Sequence, residues 1–297
     1  MIRRPREDEL EIVATLVASL QSHPETRNAF FGATPGEVAA LLASWEKPWF
    51  QTSLVAERGG RLAAFLGAEL ADSANRVWLH GPIVRDPAWD EIADDLLASL
   101  GRAIPEVSEK EQELAADAAN ARVAAFAARH DFVAGKVHDV LELPAQSFAA
   151  LPVAGALALE PADHEAFAHL HDELFPGTYY SADELLDQAA RGDALIVGVV
   201  HARELVGYAA GRIDEAGDGY IDFVGVSPTH RGHGHGGTLV ASVTRALATR
   251  APIAKVSLTV STENAAALAL YRRLAFTKAS SAVGYRRPPH TALPQAR

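Results

Sequence analysis

The residues with the clearest chemical potential are Arg231-Gly232-His233-Gly234-His235-Gly236-Gly237, four glycines within six residues behind one fixed positive charge. Without Cβ atoms the backbone can approach a ligand closely. A helix opening there would aim unpaired N–H groups and the positive end of its dipole at an anion. The spacing therefore predicts a phosphate-bearing ligand. Competing readings fail on sequence context. Gly232-x-Gly234-x-x-Gly237 formally fits a dinucleotide fingerprint, but the next strand, residues 255–260, offers no acidic residue for a ribose. A P-loop would need Lys-Ser/Thr after the glycines. His230, His233 and His235 have no carboxylate or thiolate companion in the loop, so no metal is expected there.

Such a loop needs a strand before it and a helix after it. Residues 220–226, Tyr-Ile-Asp-Phe-Val-Gly-Val, are apolar enough for a strand, and Pro228 ends it by lacking a ladder N–H. Leu239, Val240, Val243 and Leu247 then recur at helical spacing and define one apolar face. Asp222 is a lone carboxylate in this strand, and a structural partner such as Arg212 would account for it equally well. Leu174-Phe175-Pro176-Gly177-Thr178-Tyr179-Tyr180-Ser181 joins two helices by a Pro-Gly turn. Ser181 and Glu184 there predict a capping box.

Composition narrows the function classes. The chain has 297 residues, 48% of them hydrophobic, which is enough for two domains of roughly 150 residues each. A net charge of −11 argues against nucleic acid or an anionic membrane as partner. The absence of cysteine excludes disulfides, a thiol nucleophile and thiolate metal sites. Met1-Ile2-Arg3-Arg4-Pro5 leads into a charged amphipathic helix, unlike a signal peptide, and residues 194–200 form the longest clean apolar run. A soluble cytoplasmic protein, monomer or homodimer, is the expectation.

Two halves repeat one pattern, β-α-α-β-β-β-α-β-α-β. Each has a helix pair, a hairpin (Ser53 to Leu70, Ala194 to Ile213), a long strand closed by a proline (Pro87, Pro228) and a helix. Asn120 precedes Phe132 by twelve residues, as Asn264 precedes Phe276. Tandem domains are expected over 1–145 and 156–288, joined by an Ala/Pro-rich linker near residues 144–155, with a loose tail after Arg287. The halves differ at the loop. Residues 85–95 carry no glycine and five carboxylates. Charge divides the same way: residues 1–152 hold 14 basic and 23 acidic side chains, residues 153–297 hold 13 and 15. The first half thus reads as a copy that kept the fold and lost the anion site. Asn120 reads as a helix cap or a relic, since Ala127 stands where Tyr271 would, and Trp45, Trp49 and Phe50 read as core or interdomain packing.

Val226-Ser227-Pro228 followed by Arg231-Gly232-His233-Gly234-His235-Gly236 resembles the first signature of the GNAT acetyltransferase superfamily. Asn264-Ala265-Ala266-Ala267-Leu268-Ala269-Leu270-Tyr271 with Phe276 resembles the second, with Ala275 in place of the usual glycine. The likeness covers about residues 157–287 and implies an α/β fold with a mixed sheet. The tandem arrangement with a degenerate first copy is similar to that of mycothiol synthase and related two-domain members, a likeness of architecture that transfers no substrate. The resemblance implies acetyl-CoA lying between two splayed strands. Phe223, Val224, Gly225 and Val226 would offer backbone groups to its pantetheine arm. Arg231, Gly232, His233, Gly234, His235, Gly236, Gly237 and Thr238 would hold its pyrophosphate. It further implies that Asn264 contacts the cofactor and that Tyr271 protonates the departing sulfur. Asp222 is the first choice of general base and Tyr220, where many relatives have glutamate, the second. Tyr179 and Tyr180 are expected in the acceptor wall. Strand alternation would put Ile221, Phe223 and Gly225 on one face and Tyr220, Asp222 and Val224 on the other.

The resulting expectation is an acetyltransferase that passes acetyl from acetyl-CoA directly to a small-molecule amine, without a covalent enzyme intermediate or a metal. The first domain would be a non-catalytic scaffold that walls the acceptor site. Two alternatives stand beside this: an acyl-CoA sensor without turnover, and an enzyme acting on a protein or peptide amine.

Overall fold

The computed structural model describes residues 1–70, 75–153, 155–214 and 216–289. The chain forms two compact units. One comprises Met1–His138 and the segment from Ser280 onward; the other is Asp139–Ala279.

In the first unit the strands are β1 (Ile2–Arg3), β2 (Ser53–Arg58), β3 (Arg61–Leu70), β4 (Arg76–Val84) and β5 (Glu111–Asp117). They lie in that order, antiparallel except for the parallel pair β4 and β5. Helices α1 (Leu10–Ala18) and α2 (Pro35–Ala43) cover one face. There Val13, Leu16, Val17 and Leu42 pack with Val55, Phe65 and Ile83. Trp45 and Trp49 belong to this core, with Phe50 against it. Helices α3 (Trp89–Ala103), the short α4 (Glu106–Glu109) and α5 (Ala121–Arg129) supply the other face, with Leu96, Leu100 and Phe126 over Leu54, Leu66 and Leu79. Neighbouring residues such as Leu54 and Val55 enter opposite cores because successive strand side chains alternate.

The second unit repeats the plan. Its sheet takes residues 139–144 of β6 (Val133–Pro144), then β11 (Lys255–Ser261), β10 (Gly219–Val226), β9 (Glu204–Ile213), β8 (Ala194–His201) and β7 (Leu157–Ala158). Only β10 and β11 are described as a parallel pair there. Helices α6 (His164–Leu174) and α7 (Ala182–Arg191) pack Phe167, Leu170 and Leu185 on Ile196, Tyr208 and Phe223. Helices α8 (His235–Arg250) and α9 (Ala265–Arg273) cover the opposite face. Leu239, Val240, Val243 and Leu247 of α8 are fully buried over Val206, Ile221 and Val256, each contributing about 1.5–3 kcal/mol of transfer free energy.

Two features differ from a simple reading of the halves. The last strand, β12 (Thr277–Arg287), pairs antiparallel with β5 from Ala282 to Arg287 and so completes the first unit's sheet. Most of the segment around 144–155 is not a bare connector. Arg245 of α8 donates to the carbonyls of Leu151 and Pro152, and Ser242 Oγ accepts from Ala156 N. Of the expected tail, Pro288 and Pro289 follow β12, and the rest lies outside the described residues. Among the described residues no helix is long and apolar enough to cross a membrane.

Candidate active site

Beyond β10, Pro228–His230 make one 3₁₀ turn. Gly232 and Gly234 then adopt φ of +83° and +86°, a region that costs an L side chain roughly 1–2 kcal/mol. Gly234 is the N-cap of α8 and brings no side chain to cover the first-turn N–H groups. Gly236 and Gly237, read from the sequence as loop, are the first turn of α8 itself. Arg231 Nε donates to the carbonyl of Val226 at 3.0 Å, which folds its guanidinium back toward the strand end.

This turn opens on a cavity of about 990 Å³, walled by Val224, Gly225 and Val226 of β10, by the loop, and by Leu270 and Tyr271 of α9. The strands make room for it. β10 pairs with β11 at Gly219, Tyr220 and Ile221, whereas its pairing with β9 continues to Val226. Gly225 is required at its position, because a Cβ there would meet Leu174 Cδ1 at 2.6 Å and Phe175 Cε2 at 2.9 Å. Tyr271 is 93% buried, and burial pushes its phenol up to about 12, so it carries its proton at neutral pH. Asn264 Oδ1 accepts from Ala267 N at 3.1 Å and caps α9 while lining the same cavity.

A β-bulge sits at Asp222. Ile221 pairs with Gly211, and Phe223 already pairs with Ala210. The bulge corrects the expected alternation: Ile221 enters the core under α8, whereas Phe223 enters the core under α6 and α7. Asp222 itself is spoken for. Its carboxylate accepts from the Tyr179 hydroxyl at 3.0 Å, and Arg212 Nε lies 3.5 Å away. The Tyr179 ring stacks on Phe223 with centroids 5.1 Å apart. Partial desolvation, reinforced by the Asp222 charge, raises the Tyr179 phenol, while the residue as a whole stays 57% exposed. Tyr220 donates to Thr259 Oγ1 at 2.9 Å, and its phenol is also raised by burial.

Residues 164–276 match the acetyltransferase (GNAT) family model. Mycothiol acetyltransferase of Clavibacter sepedonicus is 29% identical over 233 residues, 77% of this chain and 69% of that one. The second unit thus carries a GNAT acetyltransferase domain over residues 164–276. The mycothiol acetyltransferase of Frankia casuarinae is 38% identical over 103 residues, 34% of this chain and 28% of its own. Two solved structures share the whole fold. A GCN5-related N-acetyltransferase from Sphaerobacter thermophilus superposes with a TM-score of 0.75 at 19% identity, over 99% of this chain and 96% of that one. A tandem GNAT protein from the clavulanic acid biosynthesis pathway gives 0.67 at 16% identity, over 99% and 100%. The tandem mixed α/β architecture is thus the one that the sequence signatures imply.

Within this GNAT fold the expected site residues fall into two places. Val224, Gly225, Val226, Arg231, Gly232, Gly234, His235, Gly236, Gly237, Thr238, Asn264 and Tyr271 line the cavity. Asp222, Tyr220 and Tyr179 form a separate polar cluster with Arg212 on the bulged side of β10. Phe223 and His233 are outside the cavity wall; Phe223 is buried between His171, Phe175 and Tyr179.

His171 escaped the sequence reading. It is 99% buried on α6, with Nε2 2.9 Å from the Tyr180 carbonyl and Nδ1 on the Tyr208 hydroxyl. A carbonyl can only accept, so Nε2 carries the proton and, in the neutral ring, Nδ1 accepts from Tyr208. His171 therefore pins the loop that presents Tyr179 to Asp222. The apolar stripe of α6, in which His171 falls, was the only sequence signal, and it cannot tell a buried anchor from a packing residue.

Proposed function

We propose that the second unit transfers acetyl from acetyl-CoA directly to the amine of a small molecule. The observation that carries this reading is the uncapped, glycine-lined start of α8 opening on the cavity that Tyr271 and the free edge of β10 share. The phosphates would meet first-turn N–H groups and Arg231, and the pantetheine arm would run along Val224 to Val226. The cavity volume suits such a ligand.

In this mechanism the neutral amine attacks the thioester carbonyl. A tetrahedral oxyanion forms against a backbone N–H at or beside Val226. The C–S bond then breaks, and Tyr271 gives its proton to the departing thiolate. The proton lost by the amine passes to Asp222, with the Tyr179 hydroxyl in front of it as relay: Tyr179 yields its proton to Asp222 as it takes one from the amine. Its raised phenol suits a relay and not a base. The chain has no cysteine to form an acyl-enzyme, which favours direct transfer. The relatives' name puts a mycothiol-type amine first on the acceptor panel.

A second reading, an acyl-CoA sensor without turnover, draws on Asp222 and Tyr220 being already engaged by Tyr179, Arg212 and Thr259. Purified protein with acetyl-CoA and a panel of small amines, peptides and protein N-termini is expected to release free thiol with a small amine. Tight CoA binding without thiol release on any acceptor would leave the sensor.

A further inference from the structure

Four imidazoles gather beside the start of α8. His201 ends β8, His230 closes the 3₁₀ turn, His233 sits between the two left-handed glycines, and His235 opens the helix. Ring centroids lie 5.7 Å apart for His201 and His230, 6.5 Å for His201 and His235, and 6.1 Å for His233 and His235. His230 and His235 line the cavity at its glycine end. His233 Nδ1 donates to the His230 carbonyl at 3.3 Å, which leaves its Nε2 free of the loop backbone. Three separate elements thus bring ionisable rings together beside the glycine end of the cavity.

We propose that His201, His230, His233 and His235 form a proton-accepting phosphate site, so that CoA binds with uptake of protons and more tightly as pH falls. This rests on the CoA-binding reading above and adds to it His201, a residue outside the glycine signature, together with a pH dependence. The physical reason is electrostatic. Burial and then its three imidazole neighbours lower the pKa of His235. A phosphate beside His235 offsets that lowering and raises its pKa in the complex. Groups raised by binding strengthen it as pH falls through their bound-state values. The other charges facing the cluster are Arg231 in the loop, Arg273 on α9 at the cavity wall, and Arg203 and Glu204 at the β8–β9 turn, where Glu204 pairs in register with His201. The arginines attract the phosphate at every pH in this range.

The test is calorimetric titration of the full chain with CoA, from about pH 8 to about pH 6, in two buffers of different ionisation enthalpy. Uptake of roughly one proton is expected near the imidazole range, with Kd falling up to about tenfold per pH unit. Dephospho-CoA separates the sources: uptake with both ligands assigns the cluster to the pyrophosphate, and uptake with CoA alone assigns it to the 3′-phosphate. His201→Gln, a surface change outside the glycine loop, should flatten the profile. CoA binding with one Kd across the range and no proton exchange would overturn the proposal while leaving the CoA reading intact. No CoA binding at any pH would overturn both.

Discussion

At the residue scale, the proposed chemistry divides between Tyr271 and Asp222. Tyr271 is a buried phenol raised to about 12, so it holds a proton to give at neutral pH. Tyr271→Phe should slow thiol release by about 10²-fold or more, the range of a lost general acid, with CoA affinity little changed in a binding titration. An equal rate would remove Tyr271 from the chemistry. Asp222 poses the sharper question, because its carboxylate sits behind Tyr179 and beside Arg212. Asp222→Asn keeps the shape and removes the basicity. If the relay operates, both Asp222→Asn and Tyr179→Phe lower kcat with small amines. If Asp222 only pairs with Arg212, Asp222→Asn lowers the melting temperature and leaves kcat in place.

At the element scale, helix ends and one loop anchor set the geometry. Ala275, where the family's signature has glycine, takes φ of +66° just past the end of α9. Ala275→Gly should therefore stabilise the protein by about 1 kcal/mol, measured as a shift of the urea midpoint. A loss of stability would mean that Ala275 gains more from packing than it loses in strain. His171 makes a different prediction. His171→Phe strands the Tyr208 hydroxyl in the core, at a cost of about 1–3 kcal/mol. Tyr208→Phe added to it should recover part of that loss, a coupling that a double-mutant cycle reads directly. The acceptor KM should rise in His171→Phe while CoA affinity holds, since the freed loop carries Tyr179 and not the phosphate site. Equal losses in both would make His171 a core residue only.

At the scale of the whole molecule, the two units share a fold and differ at the start of the helix that follows the long strand. In the first, the helix following the strand is α3, and its start is already supplied with negative charge: Asp86 Oδ1 accepts from Ala88 N, and Asp90 and Glu91 sit in the first turn. These carboxylates satisfy the dipole that an external phosphate would use. Calorimetry should accordingly find one CoA equivalent per chain, and two would restore a ligand to the first unit. The first unit also sets an acid limit. Glu9 is held by the Arg3 side chain and the Arg6 backbone, and the Arg3 hydrogen bond leads in lowering its pKa from 4.5 to about 2. A depressed carboxylate stabilises the fold above its ordinary pKa and loses that contribution as pH falls through the folded value. Unfolding free energy should drop between about pH 4.5 and 2 by on the order of 2 kcal/mol, and Glu9→Gln should flatten that slope.

The loop at 231–237, the Asn264–Tyr271 helix and the repeat of one pattern were legible in the sequence because each is local. Left-handed turns demand glycine, apolar faces demand a period, and a phosphate site demands bare N–H groups. Serine and glutamate three apart likewise announced the cap of α7, which the structure forms. Asn120 likewise proved a cap, accepting from Val123 N. Pairing was not local. Nothing in residues 277–287 states that β5 is their partner, since a strand's side-chain pattern records which face is buried and not which edge it meets. The bulge at Asp222 was equally silent, because one extra residue in a strand leaves composition untouched while it turns Phe223 to the opposite core. His171 and His201 became meaningful only once folding had set a carbonyl beside the one and two other imidazoles beside the other.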